Sequence, residues 1–301
     1  MSGILPGARI LVTGGSGFLG SHVADALSEA GYSVTLFDRA PSRYLRPGQV
    51  VMTGDLLKLE DVRKATEDCA AIYHFAAISD IEEASRDPIR TAEVNVMGTV
   101  NLLEAARRAD VARFIFASSV YAYSKTGGVY RASKQACENF IEAFHEQYGL
   151  SFTILRYGSL YGRRAAPGNR IHRMISSALM KGRIEESGNG EAIREFVHVR
   201  DAARLSVQIL DDRYKNQHFL LTGLEKYRLV DVARMIQEIF PENIEIRFSG
   251  ESSDGHYDFT PYHFNPKVGR KMVPSDFVDF GQGLLDCIDE LYQAIAIKEA
   301  V

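Results

Sequence analysis

The sequence predicts an α/β fold, a doubly wound parallel sheet with a smaller C-terminal lobe. The first observation is the apolar run Ile10, Leu11 and Val12, which leads into four closely spaced glycines and then a segment with helical periodicity. The second is an alternation of strand and helix patterns that continues to about residue 157. Strands that alternate with helices pair in parallel and are covered on both faces, so the two observations together indicate a Rossmann-type sheet.

The alternation also predicts how the chain is divided. Strand patterns occupy residues 8–13, 33–38, 49–53, 70–76, 112–117 and 152–157. Beyond residue 160 the rhythm breaks, and the patterns predict helices over 171–180, 229–240 and 281–297 and strands over 219–222 and 244–248. We therefore predict a nucleotide-binding domain over 1–165, to which 194–222 return, and a mainly substrate-binding lobe over 166–301.

The glycines after the first strand predict a diphosphate-binding turn. Gly14, Gly17 and Gly20 fit one glycine spacing of such turns, and Gly15 with the last two fits another. A strand, a tight glycine turn and a helix aim free backbone N–H groups at a phosphate. Glycine patterns alone are common, so the prediction also depends on the residues at the end of the second strand.

An acidic residue at the end of the second strand supports a dinucleotide ligand. Asp38 stands 24 residues after Gly14, where a carboxylate can bind the diol of a ribose. The alternative role is a turn former at the strand end. A carboxylate here favours NAD over NADP because it repels a 2′-phosphate, whereas the neighbouring Arg39 weakens that preference.

Two further strand ends offer cofactor contacts. Asp55 follows the third strand and can accept a hydrogen bond from an adenine amino group, or can cap a helix. Ala76 and Ala77 follow the fourth strand, where small residues let a flat ring lie against the main chain. His74 lies inside the same apolar strand, and we interpret it as a packed core histidine.

A serine, a tyrosine and a lysine form the predicted catalytic group. The fifth strand ends in Ser118 and Ser119, either of which could bind the reacting oxygen, and Tyr130 and Lys134 follow, one helical turn apart. A neighbouring ammonium ion and an oxidised nicotinamide both stabilise a phenolate, so this tyrosine can exchange the proton of a hydroxyl while hydride moves. A second pair with the same spacing, Tyr121 and Lys125, runs into a glycine loop and lacks the common helix face.

With these residues the chain resembles the extended short-chain dehydrogenase/reductases, and among them the NAD-dependent nucleotide-sugar epimerase/dehydratase group. The likeness includes residues 13–20, 95–99, 117–119, 130–134, 155–162 and 194–199. It implies the catalytic group Ser119, Tyr130 and Lys134, and a substrate diphosphate held by Arg194, for which a surface ion pair with Glu191 or Glu195 is the alternative. The implied NAD contacts are Gly14, Gly17, Phe18, Leu19, Gly20, Asp38, Arg39, Asp55, Leu56, Phe75, Ala76, Ala77, Tyr130, Lys134 and Tyr157; the implied substrate contacts are Ser79, Ser119, Ser159 and Arg194.

The sequence departs from this group at three places. The stretch from Ser119 to Tyr130 is shorter than in most extended members, and Ser159 stands where many relatives have asparagine. Near the C-terminus, residues 255–262 occupy the region in which relatives often have a phosphate-binding arginine. His256, Tyr257, Tyr262 and Lys267 are the candidates to replace it.

The residues after Ser119 select the reaction. A dehydratase is expected to carry an Asp-Glu pair there and a decarboxylase an acidic residue nearby, whereas residues 119–124 contain no carboxylate. We therefore predict an epimerase similar to UDP-glucose 4-epimerase, which oxidises a sugar carbon transiently and returns the hydride. A nucleotide-sugar dehydrogenase or ketoreductase is the alternative, and a non-catalytic dinucleotide sensor ranks below it.

The composition limits the kinds of partner that the protein is expected to bind. A net charge of −4 gives no reason to expect nucleic acid or an anionic membrane, and no apolar run reaches the length of a membrane span. Cys69, Cys137 and Cys287 lack the spacing of a disulfide framework or a metal site. We expect a cytoplasmic enzyme without a metal, and a homodimer through the broad apolar faces of the helices at 89–109 and 131–148, for which burial inside the monomer is the alternative.

Overall fold

The computed structural model describes residues 3–240, 243–250, 270–272 and 274–299. The strands in this part of the chain are β1 Arg9–Thr13, β2 Ser33–Asp38, β3 Val50–Thr53, β4 Ala71–His74, β5 Arg113–Ser119, β6 Phe152–Tyr157, β7 Ser159–Tyr161, β8 Arg183–Glu186, β9 Ile193–Arg194, β10 Phe196–His198, β11 Gln217–Leu221, β12 Tyr227–Arg228, β13 Glu245–Phe248 and β14 Arg270–Lys271.

The α-helices of the same ranges are α1 Phe18–Glu29, α2 Leu59–Thr66, α3 Ile81–Arg86, α4 Pro88–Thr91, α5 Gly98–Arg108, α6 Gly128–Tyr148, α7 Arg170–Lys181, α8 Val199–Gln208, α9 Leu229–Ile239 and α10 Phe280–Glu299. A π-helical turn, Ala92–Met97, joins α4 to α5. Two 3₁₀ turns, Val120–Tyr123 and Asp212–Tyr214, follow β5 and α8.

The main sheet confirms the predicted doubly wound α/β fold. Among the described residues it has eight parallel strands in the order β14-β11-β6-β5-β4-β1-β2-β3. β1 lies between β2 and β4, with Leu11 opposite Thr35 on one side and Ile72 on the other. Ile10, Leu11 and Val12 are fully buried, as the apolar run predicts for a strand covered on both faces.

The position of β1 also places the site. The chain runs outwards from β1 to β2 and β3, and then returns to form β4 on the other side of β1. At such a reversal the loops after neighbouring strands diverge and leave a crevice at the carboxyl edge of the sheet. The residues after β1, β4 and β5 therefore meet at this edge.

The helix expected over 89–109 is interrupted. Asp87 caps its start by accepting the N–H of Arg90 at 2.9 Å, and Pro88 occupies the first turn, where its missing N–H costs no hydrogen bond. The π-helical turn then inserts an extra residue per turn around Asn95. The buried Asn95 amide binds both backbone groups of Ile78, which fixes the helix against the loop after β4. Helical periodicity in the sequence does not reveal such a tertiary contact.

The described chain falls into two compact units. One contains the described residues of the ranges 1–157, 202–221 and 261–272, and the other contains those of 158–201, 222–260 and 273–301. The second unit has its own apolar core, which α7, α9 and α10 supply with side chains such as Ile175, Val232 and Leu284. The division into a nucleotide-binding domain ending at 165 and a substrate-binding lobe stays a prediction.

Among the described helices, none combines the length and the apolarity that a membrane span requires.

Candidate functional site

The glycine turn is built for close backbone packing. Gly14 follows β1 with a φ of +67°, and a methyl group there would lie 2.6 Å from the backbone nitrogen of Ala76. At Gly20, a methyl group would collide with the carbonyl oxygen of Gly14. Glycine at position 14 therefore lets the turn approach the loop after β4, and glycine at position 20 lets α1 pack against the turn.

The start of α1 fits a diphosphate. Gly17 is the N-cap residue, and no side chain in the described part of the chain caps the helix there. Phe18 and Leu19 form the first turn, whose N–H groups point along the helix axis toward a ligand. A side chain at Gly17 would stand in front of those N–H groups, so its absence keeps the approach open. These residues fit the diphosphate of a dinucleotide.

Asp38 is oriented by the glycine turn itself. It is the last residue of β2; its Oδ2 accepts the N–H of Ser16 at 3.0 Å, and its Oδ1 accepts the N–H of Arg39 at 2.7 Å. These two bonds leave acceptor capacity on each oxygen, which is what recognition of a vicinal diol requires. Asp38 thus acts as a turn former and can still bind a ribose, while the Arg39 side chain is exposed.

One alternative at the end of β3 is wrong. Asp55 does not cap α2, because the N-cap residue of that helix is Lys58. The Asp55 carboxylate instead accepts the N–H of Leu57 at 3.0 Å and closes a turn. Leu56 is buried in the core next to α5, whereas the adenine contact of Asp55 stays a prediction.

The end of β4 forms a flat backbone surface beside the glycine turn. The N–H of Phe75 donates to the carbonyl of Thr13 at 3.0 Å, and Ala76 and Ala77 come next, half-buried. His74 is a core residue, as predicted: its ring lies between the hydroxyls of Thr13 at 2.7 Å and Thr99 at 2.9 Å. Burial lowers the pKa of His74 to about 3, so the ring is neutral.

The structure brings Ser119, Tyr130 and Lys134 together. Ser119 ends β5 and is hydrogen-bonded to Tyr130, whose position in the first turn of α6 puts Lys134 one turn further along. The Lys134 ammonium donates to the carbonyl of Ala117 at 2.8 Å and lies 5.8 Å from the centroid of the Tyr130 ring. All three are at least nine-tenths buried.

Burial dominates the electrostatics of this group. It raises the pKa of Tyr130 to about 12, against a smaller opposing effect of the hydrogen bond with Ser119. It also lowers the pKa of Lys134 to about 8. Both shifts disfavour the ionised forms, so a cationic ligand beside the phenol would provide the missing stabilisation of a phenolate.

The second Tyr-Lys pair lacks the geometry for this role, as the sequence predicts. Tyr121 belongs to the 3₁₀ turn Val120–Tyr123, and Lys125 lies after that turn and before α6 begins. The two side chains therefore do not share a helix face.

An ion pair that the sequence did not predict holds α6 in register with β5 and β6. Arg156 of β6 donates to Glu138 of α6 at 2.7 Å and 3.0 Å, and Ser118 also donates to the same carboxylate. Glu138 lies one helical turn after Lys134, so this contact fixes the rotation of the helix that carries the catalytic side chains. The sequence signal for this ion pair is Arg156, a charged residue in an otherwise apolar strand pattern.

Asn95 makes a second unpredicted connection. Besides binding the backbone of Ile78, its amide donates to the hydroxyl of Ser133 at 3.0 Å, and Ser133 donates to the carbonyl of Tyr130 at 2.8 Å. The loop after β4 is thereby connected to the first turn of α6.

The remaining candidate site residues belong to several different strands and loops. Tyr157 ends β6, with its hydroxyl 2.6 Å from that of Ser206, and Ser79 is exposed after β4. In the second unit, Ser159 begins β7 and Arg194 ends β9. Arg194 is only 4% exposed, so it does not lie at the surface of the protein, and its contact with a substrate diphosphate stays a prediction. The candidates His256, Tyr257, Tyr262 and Lys267 lie outside the described residues.

A parallel sheet with a glycine turn, an oriented carboxylate and a Ser-Tyr-Lys group defines a class of dinucleotide-dependent enzymes. Residues 10–221 match the model of the NAD dependent epimerase/dehydratase family. The chain belongs to this family.

Individual relatives agree with this membership. The chain is 31% identical over 229 residues to a putative UDP-glucose 4-epimerase from Methanocaldococcus jannaschii, covering 69% of this chain and 74% of that protein. It is 28% identical to a UDP-N-acetyl-alpha-D-glucosaminuronate decarboxylase from Bacillus cytotoxicus, covering 77% and 80%.

Solved structures show the same fold. A mutant of the UDP-glucuronic acid 4-epimerase from Bacillus cereus, in complex with UDP-4-deoxy-4-fluoro-glucuronic acid and NAD, is 25% identical with a TM-score of 0.84, covering 95% of this chain and 99% of that one. A UDP-N-acetylglucosamine 4-epimerase from Methanobrevibacter ruminantium is 22% identical, also with a TM-score of 0.84, covering 96% and 100%.

Proposed function

We propose that the protein is an NAD-dependent nucleotide-sugar epimerase that inverts C4 of a UDP-hexose. The observation that carries this proposal is the assembly of Ser119, Tyr130 and Lys134 at the sheet edge that also holds the glycine turn. UDP-sugar 4-epimerases among the relatives support the substrate class. NAD is the cofactor that the family and the acidic end of β2 favour.

Bound NAD supplies a hydride acceptor and, after reduction, the hydride donor for the same carbon. Tyr130 Oη takes the proton of the C4 hydroxyl and later returns a proton to that oxygen. The Lys134 ammonium stabilises the phenolate through their common helix face. Ser119 Oγ binds the reacting oxygen and holds it within reach of the phenol. The sugar turns over between the two hydride transfers, so the hydride returns to the opposite face of C4.

The absence of an acidic side chain separates this reaction from those of other relatives. Decarboxylases occur among the similar proteins, and dehydratases share the family. Residues 119–124 contain no carboxylate that could expel water or assist the loss of CO₂. Hydride and proton transfer are the chemistry that the remaining side chains support.

The proposed ligand contacts are those expected from the sequence. Gly14, Gly17, Phe18, Leu19 and Gly20 would hold the diphosphate of NAD, and Asp38 the adenosine ribose, with Asp55 on the adenine. The backbone after β4, Tyr157 and Lys134 would hold the nicotinamide half. Ser79, Ser119, Ser159 and Arg194 would contact the nucleotide sugar.

A panel of UDP-, GDP-, CDP- and dTDP-sugars tests the function, with product epimers resolved by NMR and bound NAD detected by native mass spectrometry. Wild type is expected to interconvert one C4 pair without net NADH. Tyr130→Phe should lose about 100-fold or more in kcat, because the proton acceptor is removed. Tyr148→Phe, the same change at the exposed end of α6, is the matched control. Full activity of Tyr130→Phe would contradict the assignment.

We also propose a homodimer through α6 and the segment formed by α4, the π-helical turn Ala92–Met97 and α5. Exposed apolar side chains on these elements support it: Ile89, Met97 and Phe140 are 73%, 52% and 42% exposed. Phe140→Glu would place a charge in that contact and should convert a dimer to a monomer in sedimentation velocity. A wild-type protein that sediments as a monomer at micromolar concentration would contradict the proposal.

The cytoplasm is the compartment that we propose, because the three cysteines are free and buried and NAD is an intracellular cofactor. Fractionation of cells that produce the protein tests it, and recovery with the exported fraction would contradict it.

A further inference from the structure

The short connection between β5 and α6 is held rigidly against the catalytic helix. Gln135 donates to the carbonyl of Ala122 at 2.6 Å, and Arg131 donates to the carbonyl of Ser124 at 3.0 Å. Both donors belong to the first two turns of α6. The 3₁₀ turn Val120–Tyr123 therefore keeps a fixed position relative to Tyr130.

Within that turn, Tyr121 touches two of the catalytic residues. Its backbone N–H donates to Ser119 Oγ at 3.2 Å. Its ring meets the Tyr130 ring edge to face, with the centroids 6.3 Å apart and the planes at 74°. Tyr121 is half-buried, whereas Ser119 and Tyr130 are buried, so this residue is more accessible than the two groups that it touches.

A glycine supports the other side of this ring. Gly127 has a φ of +97°, and a methyl group there would lie 2.7 Å from Cδ1 of Tyr121. The Tyr121 ring is thus in contact with the backbone of Gly127 and with Tyr130. No residue larger than glycine fits at position 127 unless this ring moves.

We propose that Tyr121 is a specificity-determining residue whose ring forms the wall of the hexose site next to Tyr130. This inference rests on the proposed function. A hexose presents a face of C–H groups, which packs on an aromatic ring and excludes water there. A sugar held against this wall has its hydroxyls at the edge of the ring, within reach of Ser119 and Tyr130. The ring contacts the sugar and not the nucleotide.

Two substitutions of Tyr121 distinguish a contact with the sugar from a general effect on folding. Tyr121→Ala is expected to raise KM for the UDP-sugar about tenfold, while the Kd of UDP alone and the Kd of NAD stay unchanged. Tyr121→Phe keeps the ring and should restore KM to within about threefold of wild type. If Tyr121 had a purely structural role, KM for the UDP-sugar and the Kd values of UDP and NAD would all change together. An unchanged KM in Tyr121→Ala would overturn the proposal.

The two glycines at the ends of α6 provide a matched pair. Gly127→Ala strains a left-handed backbone position and also displaces the Tyr121 ring, so KM for the UDP-sugar should rise. Gly149→Ala imposes the same kind of strain at a φ of +74°, but among the described residues no atom beyond its chain neighbours lies within 4 Å of the added methyl group. KM should be unchanged in Gly149→Ala, and an equal rise in both variants would contradict the proposal.

The outcomes distinguish this proposal from the function on which it rests. A wild-type protein that neither binds nor converts any UDP-sugar would overturn both. If wild type epimerises a UDP-sugar and Tyr121→Ala has the same KM, only the proposed role of Tyr121 is overturned.

Discussion

Lys134 is a buried cation that is expected to reduce the stability of the folded protein. The residue is 4% exposed, and burial lowers the pKa of its ammonium group from 10.5 to about 8. Below pH 8 the ammonium is protonated in both the folded and the unfolded state, so its full cost of burial applies there. Between about pH 8 and pH 10.5 only the unfolded state remains protonated, and the cost disappears as pH rises.

We predict that Lys134→Met raises the free energy of unfolding by about 3 kcal/mol at pH 7 and by about 1 kcal/mol at pH 10. The same variant should lose its epimerase activity. Urea denaturation at the two pH values measures the difference. A variant that is less stable than wild type at pH 7 would show that the bond to the Ala117 carbonyl outweighs burial of the charge.

We expect Asp38 to determine the preference between the two nicotinamide dinucleotides. Its carboxylate is held by the N–H groups of Ser16 and Arg39, so a 2′-phosphate would meet a fixed negative charge. We predict that Asp38→Asn lowers the ratio of NAD to NADP affinity by about tenfold or more. Cofactor titration by fluorescence measures both constants, with the exposed Asp110→Asn as the control. An unchanged ratio would remove Asp38 from the cofactor site.

At the scale of elements, the pair formed by Glu138 and Arg156 determines where α6 sits. The two side chains are 7% and 0% exposed, so removing one charge leaves the other buried without its partner. We predict that Glu138→Gln lowers the free energy of unfolding by about 3 kcal/mol in urea. The exposed pair of Glu60 and Arg63 is the control, and Glu60→Gln should change stability by less than about 1 kcal/mol.

Replacing both partners distinguishes a charge effect from a packing effect. The double variant with Glu138→Leu and Arg156→Met removes both charges and should recover most of the stability lost in Glu138→Gln. If it is as unstable as the sum of its single variants, the contact acts through shape and not through charge.

Local patterns predict the elements that are long or directly bounded by turn residues. β1, β2, β6 and α7 lie within a residue of their expected positions, because apolar runs and caps define them. The two-residue and three-residue strands of the second unit are too short to show a period of two. The π-helical turn at Asn95 and the turn at Asp55 depend on partners elsewhere in the chain, which periodicity does not contain.

The same distinction applies to the site. Tyr130 and Lys134 are predictable because they share a helix turn, and the family resemblance selects Ser119 from the two serines that end the fifth strand. Tyr121 was recognised only as part of a motif without a common helix face. Its contacts with Tyr130 and Gly127 arise from the short connection folding back on α6, and the spacing of residues does not show that.

At the scale of the whole molecule, the parallel sheet explains why distant segments of sequence serve one reaction. The glycine turn after β1, the flat backbone after β4 and the serine at the end of β5 come from neighbouring strands in the sheet order. Their carboxyl ends share one edge, so a single extended cofactor can contact all three. α6 adds Tyr130 and Lys134, the residues proposed for proton transfer, at that edge.

The most direct test of the proposed reaction tracks the hydrogen at the reacting carbon. Wild type with NAD is incubated with UDP-glucose deuterated at C4 in ordinary water, and the product is analysed by NMR. We predict UDP-galactose that retains deuterium at C4, with no net NADH, because one hydride leaves and returns inside the site. Product that carries protium at C4, or NADH formed in proportion to substrate consumed, would contradict the epimerase mechanism.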